Sequence, residues 1–124
     1  MTAVPVVRMR DALVAAMQED IDDRTALELA DRLAREVATH GARVVLLDVS
    51  AAQVVDSFIS RVIVDIARVC RLLGARVAVV GIRPAVAITL VELGLTLEGV
   101  QTALTIDDAM NALEDGAGGD AWRA

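Results

Sequence analysis

Few residues in this sequence have the types and spacing to carry chemistry. There is one histidine, His40, and one cysteine, Cys70, and their positions give no support to a catalytic pair. His40 ends a helical stretch, where an imidazole can meet the last carbonyls and the negative end of the helix dipole. Cys70 lies among apolar residues and reads as a buried thiol, and a lone cysteine cannot close an internal disulfide. No group of Cys, His and carboxylate residues has metal-ligand spacing. The run Gly116-Ala117-Gly118-Gly119 follows the last expected element and opens no helix, so it is not a phosphate-cradling loop. Most carboxylates fall on polar helix faces or in loops such as Asp22-Asp23. The sequence therefore predicts no metal site, no cofactor and no enzymatic turnover.

One constellation remains. Asp48-Val49-Ser50 leaves an apolar run, a short apolar loop follows, and Asp56-Ser57 opens a helical pattern. In one reading Asp56 or Ser57 is a plain N-cap, whose side-chain oxygen satisfies an unpaired amide. In the other, the free N–H groups and partial positive charge of the helix start accommodate a phosphate on Ser57. Phosphorylation adds about −1.5 to −2 charge. Asp56 beside it opposes that charge, so the larger effect falls on any partner docked over the corner. Helix-start physics alone leaves both readings open.

The elements that must position this corner follow from periodicity. Val4 to Met9 and Ala12 to Met17 are β-prone and read as a hairpin or adjacent edge strands, with Pro5 favouring an edge. Thr25 and Glu28 have capping-box spacing, and Ala26, Leu29, Ala30, Leu33 and Val37 recur at helical spacing up to His40. Glu28 with Arg32 and Asp31 with Arg35 are i,i+4 pairs on the other face, and Gly41 stops the helix. Val44-Val45-Leu46-Leu47 lacks alternation, as in a strand covered on both faces. A second helix runs from about Asp56 to Leu73, with Ile59, Ile63, Ile66, Cys70 and Leu73 on one stripe and Arg61, Asp65 and Arg68 opposite. Val77 to Val80 is a further buried strand. Pro84 opens a third helix to about Glu92, Val100 to Leu104 is a last strand, and Thr105 with Asp108 starts a final helix ending near Glu114. The order β-β-α-β-α-β-α-β-α predicts an α/β sandwich with a mixed or mostly parallel sheet flanked by about four helices. One domain spans residues 1–115, and the glycine-rich residues 116–124 read as a flexible C-terminal tail with Trp122 as its anchor.

Composition excludes further classes. A net charge of −6, twelve cations that are all arginine, and only two aromatic residues, Phe58 and Trp122, oppose nucleic-acid binding. The start shows no signal-peptide pattern, and uncharged stretches such as Pro84 to Val91 are too short to span a bilayer, so a cytoplasmic protein without a membrane anchor is expected. Apolar residues make up 56% of the chain, above the usual share of about 45–50%. That excess fits apolar surface buried against another protein, or simply an alanine- and valine-rich composition.

The chain resembles the STAS-domain anti-sigma factor antagonists, and within them the RsbS-type scaffold proteins of the bacterial stressosome. Three stretches carry the resemblance: Asp48-Val49-Ser50 with Val54-Val55-Asp56-Ser57-Phe58-Ile59; Gly74-Ala75-Arg76-Val77 with Gly81-Ile82-Arg83-Pro84-Ala85-Val86-Ala87, Thr89-Leu90 and Leu93-Gly94; and Asp22-Asp23-Arg24-Thr25-Ala26-Leu27. Together they span the chain from the first strand to about Glu114. The resemblance implies that Ser57 is a phosphorylation site, with Asp56 and Phe58 contacting partners around it. Thr89 is a second, weaker candidate. A serine at this position and no sensory domain before the first strand favour the RsbS type over the RsbR type. The implied partners are an RsbT-type serine kinase, RsbR-like STAS co-antagonists, an RsbX-type phosphatase, and further copies in a large homo- or hetero-oligomeric assembly. The outer stripe of the second helix, with Val64 among Arg61, Asp65 and Arg68, is an expected contact surface. Alternatives are an RsbV-like antagonist that binds an anti-sigma kinase directly and a small-molecule-binding STAS module.

Overall fold

A computed structural model of the protein describes residues 4–18, 21–52, 56–95 and 100–114. Residues 116–124, including Trp122, and the loop valines Val54 and Val55 lie outside the described residues. The chain order is β1 (Val6–Met9), β2 (Ala12–Ala16), α1 (Asp23–His40), β3 (Val44–Asp48), α2 (Ser57–Leu72), β4 (Arg76–Val80), α3 (Pro84–Glu92), β5 (Gln101–Ala103) and α4 (Ile106–Glu114). This is the order predicted from periodicity.

The five strands form one sheet in sequence order. β1 pairs antiparallel with β2, and β2, β3, β4 and β5 are parallel. Arg10 turns the β1–β2 hairpin at φ 58, an unusual conformation for a residue with a Cβ. Each parallel connection steps one strand in the same direction. Right-handed crossovers that never reverse put their helices on one face. Accordingly α1, α2 and α3 share the larger core with Leu13, Ala15, Val45, Leu47, Val77 and Val79. The other face, with Val14, Leu46, Ala78 and Val80, packs against α4 through Ala109. Val45, Leu46 and Leu47 are fully buried, which explains why that run shows no polar alternation.

Several local details differ from the sequence reading. The cap of α1 is Asp22, whose Oδ1 accepts from the Thr25 amide at 2.7 Å, so Thr25 is inside the first turn and is not itself the cap. Arg35 pairs with Asp31 as expected. Glu28, however, faces Arg24 at 3.6 Å, while Arg32 Nη1 donates to the Val4 carbonyl at 3.1 Å and ties α1 to the chain ahead of β1. His40 does not cap: its Nε2 lies 3.5 Å from Glu36 Oε2, and the Gly41 amide takes the Val37 carbonyl at 3.0 Å. Gly41 has φ 65, the left-handed conformation that ends a helix at low cost with glycine.

On α2, Leu73 is half exposed beyond the helix end, off the buried stripe. Val64 is buried, so it cannot contribute to an outward contact stripe. Its burial follows from α1 packing against α2 while the sheet lies beneath, which widens the apolar sector beyond one stripe. Arg61, Asp65 and Arg68 do remain exposed. Cys70 is buried, as expected, and burial pushes its thiol up to about 11.

The cap of α1 gives a pH dependence. Hydrogen bonds from the Thr25 amide and then the Thr25 hydroxyl hold the Asp22 carboxyl below the ordinary carboxylate range. A depressed folded-state pKa stabilises the fold above the unfolded value, and the contribution fades as pH falls through the folded one. Asn at this position still caps but does not titrate there. The melting-temperature gap between wild type and Asp22→Asn is therefore expected to stay constant from neutral pH to about pH 5 and to shrink below about pH 4. A gap that persists unchanged to strongly acid pH would contradict this account.

Candidate functional site

Because β2 to β5 are parallel, α1, α2, α3 and α4 all begin at the edge where these strands end. The ladder continues past the strands at that edge. The Met17 amide donates to the Asp48 carbonyl at 2.9 Å, Val49 to Val80 at 2.9 Å and Gly81 to Ala103 at 2.9 Å. The first residues after β2, β3 and β4 are thus fixed to the neighbouring strands before any side chain contributes.

The loop after β3 is then shaped by Asp48. Its Oδ1 accepts from the Ser50 amide at 3.0 Å and from the Ser50 hydroxyl at 2.6 Å, a short side-chain turn. Ser50 also sits against Gly81. A Cβ on Gly81 would lie 2.6 Å from Ser50 Cβ, and the backbone there has φ +75. Only glycine meets both conditions without displacement. Two stretches far apart in the chain, Asp48-Val49-Ser50 and Gly81-Ile82-Arg83-Pro84, are therefore one packed unit. Pro84 opens α3 just beyond it.

Asp56 and Ser57 divide their roles. Asp56 is the N-cap of α2, its Oδ1 accepting the Ile59 amide at 2.8 Å and its carbonyl accepting the Ser60 amide at 2.9 Å. Ser57 is the first helical residue and is exposed. Its hydroxyl has no hydrogen-bond partner among the described residues. The Ser57 and Phe58 amides belong to the helix start and have no intrahelical acceptor. Phe58 is 37% exposed, an aromatic surface beside the hydroxyl.

Of the predicted site residues, Asp56, Ser57 and Phe58 thus form one corner. Thr89 is on a different helix, in the interior of α3, and its Oγ1 donates to the Ala85 carbonyl at 3.0 Å. Its hydroxyl is engaged by the helix backbone, whereas that of Ser57 is not. Ser60, one turn after Ser57, was not singled out in the sequence. It is fully buried and its hydroxyl has no hydrogen-bond partner among the described residues. The only sequence signal for it is a serine within the apolar sector of an otherwise well-patterned helix.

Along this edge Asp22, Asp56 and Arg83 are the N-cap residues of α1, α2 and α3 and Asp48 ends β3, beside helix starts that favour anions. Among the described residues no group of three or more His, Cys, Asp or Glu is placed to hold a metal ion. No described helix is long and apolar enough to cross a membrane. What the arrangement offers chemically is an exposed hydroxyl, without a hydrogen-bond partner among the described residues, on a helix whose capping does not depend on it.

Residues 3–109 match the STAS domain family. The RsbT co-antagonist protein RsbRA of Bacillus subtilis (strain 168) is 35% identical over 98 residues, which cover 71% of this chain and 36% of that protein. The co-antagonist RsbRC of the same organism is 29% identical, with 73% of this chain and 32% of that protein covered. The chain thus spans about a third of the length of these relatives. Among solved structures, a serine-to-glutamate variant of Moorella thermoacetica RsbS superposes with a TM-score of 0.84 at 35% identity, covering 94% of this chain and 98% of that one. A chain from the stressosome structure superposes at 0.81 with 36% identity, covering 91% and 98%.

The Ser50–Gly81 approach sets an expected mutational contrast. Gly81→Ala combines left-handed backbone strain with a collision and should cost about 2–4 kcal/mol. Gly74→Ala has φ +96 but open space around the new Cβ, so strain alone applies, about 1–2 kcal/mol. Urea unfolding of both variants measures the difference, and equal losses would remove the packing argument.

Proposed function

The chain belongs to the STAS-domain family, and we propose that it acts as an RsbS-type stressosome scaffold that holds an RsbT-type serine kinase and releases it when Ser57 is phosphorylated. The observation that carries this reading is the division of roles at the start of α2. Asp56 supplies the cap, and the Ser57 hydroxyl is exposed, with no hydrogen-bond partner among the described residues. The similarity to the Moorella thermoacetica RsbS structure and to a chain of the stressosome, over nearly the whole of each, supports the same reading.

The reaction is a phosphoryl transfer. The Ser57 Oγ attacks the γ-phosphorus of the kinase's ATP, the bond to the β-phosphate oxygen breaks, and ADP leaves. The serine proton passes to a base supplied by the kinase. This chain contributes an accessible acceptor and a helix start whose unpaired amides tolerate the product. Asp56 opposes the added charge, so the phosphate does not lock the helix more firmly. Its main effect falls on a partner seated over the corner, whose acidic or apolar groups now face a dianion.

Apolar surface beside the corner supports a partner. α3 is apolar on nearly all sides, a composition typical of buried helices, yet Ile88 is 57% and Val91 78% exposed. RsbR-like co-antagonists and further copies of the chain are the proposed occupants of such surface in the assembly, and an RsbX-type phosphatase resets Ser57. Thr89, already bonded within α3, has a structural role in this proposal.

The test is incubation with an RsbT-type kinase and ATP followed by mass spectrometry. One phosphate on Ser57 is expected, and none on Ser57→Ala. Ser57→Asp should keep wild-type stability within about 0.5 kcal/mol and bind the kinase at least tenfold more weakly. Labelling of Ser57→Ala equal to wild type, or kinase affinity unchanged in Ser57→Asp, would refute the proposal.

A further inference from the structure

The opposite edge of the sheet, where the parallel strands begin, holds a cleft of about 530 Å³ lined by Arg10, Asp11, Arg43, Val44, Gly74, Arg76 and Met110. Three arginines meet there in a chain whose net charge is −6. They come from the β1–β2 turn, the residue before β3 and the first residue of β4. Their backbones are fixed to one another. The Arg43 amide donates to the Asp11 carbonyl at 2.8 Å, and the Arg76 amide donates to the Arg43 carbonyl at 2.8 Å. Neighbouring strands lie about 4.8 Å apart, so the guanidinia of Arg43 and Arg76 can converge on one group.

Neither of those two guanidinia has a hydrogen bond or ion pair among the described residues. The ordinary structural role for arginines at this edge is to satisfy the carbonyls of helix ends. Here backbone amides already do that. Leu73 donates to the Val69 carbonyl at 3.1 Å, Ala75 to Cys70 at 3.0 Å, Gly74 to Arg71 at 3.0 Å and Gly41 to Val37 at 3.0 Å.

We propose that this cleft binds a small phosphate monoester that also carries hydroxyl groups. Each guanidinium presents a planar fork to two oxygens. A carboxylate brings two oxygens and one negative charge to two guanidinia, whereas a phosphate monoester brings three terminal oxygens and about −1.5 to −2 charge, a closer match to two forks. Asp11 is the one acid in the lining among the described residues, and it repels a bare anion. It accepts hydrogen bonds from a ligand with hydroxyl groups beside the phosphate. Met110 supplies an apolar wall, and the cleft volume is within the usual range of about 300–1,000 Å³ for small-molecule sites. The cleft and Ser57 occupy opposite edges, so this proposal does not rest on the phosphorylation reading.

Ribose 5-phosphate, inorganic phosphate, ribose and citrate titrated into the full-length protein, followed by amide NMR, test the proposal. Ribose 5-phosphate should shift the Arg43, Val44, Gly74 and Arg76 amides saturably, with a Kd below about 1 mM. Inorganic phosphate should bind at least tenfold more weakly, and ribose not at all. Raising salt should weaken the binding. The double variant Arg43→Gln/Arg76→Gln, whose side chains are exposed, should fold normally and lose at least tenfold in affinity. Citrate binding as tightly as ribose 5-phosphate, unchanged affinity in the double variant, or no saturable shift would overturn the assignment. A double variant that merely melts earlier, with its ribose 5-phosphate response intact, would return the arginines to a structural role.

Discussion

Three crossovers stepping in one direction along the parallel strands β2 to β5 govern the rest of the molecule. Because the handedness of each crossover is fixed, α1, α2 and α3 must share a face. Because the strands are parallel, every helix start collects at one edge, and the ends of α1 and α2 collect at the other. The first edge concentrates unpaired amides and positive dipole ends, and the chain has placed Asp22, Asp56 and Ser57 among them. The second edge brings together the residues that precede or begin each strand, which puts Arg10, Arg43 and Arg76 side by side. Both clusters are consequences of topology before they are consequences of side-chain chemistry.

At the helix-start edge, the relevant energy is that of a single cap. A capping side chain is worth about 0.5–2 kcal/mol. Had Ser57 been the cap, modifying its oxygen would have competed with that contribution and disturbed the helix. With Asp56 as the cap, the hydroxyl one residue later can change without disturbing α2. The Asp48–Ser50 turn and the Gly81 contact fix the first residues after β3 at the same edge. In the proposed switch, a charge added at Ser57 would therefore act mainly on a partner docked there and little on the helix itself.

Much of this was legible in the sequence because it follows from short-range rules. The uninterrupted Val44–Leu47 run, the helical spacing of Leu29, Leu33 and Val37, and Pro84 at the start of α3 each reflect contacts within one element. The errors arose where neighbours compete for the same group. Asp22 and Thr25 both suit the cap of α1, and only geometry shows the Thr25 amide donating to Asp22. Glu28 can pair with Arg24 or Arg32, and the Val4 carbonyl draws Arg32 away. Val64 looked peripheral because the flank covered by α1 is set by tertiary packing. Ser50 meeting Gly81, and the arginine cleft, depend on register between strands, which no local pattern encodes.

The two edges are joined by the buried interior of β3 and β4, where Val45, Leu46, Leu47, Val77 and Ala78 have no exposed surface. Communication between distant sites needs an element with two discrete arrangements that both sites bias. A close-packed run of this kind, covered on both faces, leaves little room for a second packing. The edges therefore behave as separate surfaces held at a fixed distance by one rigid sheet. On the two proposals, a charge added at Ser57 would alter recognition at that end, and an anion bound between Arg43 and Arg76 would alter it at the other. Close packing of this kind favours a response through what each end recruits over a change in the sheet itself.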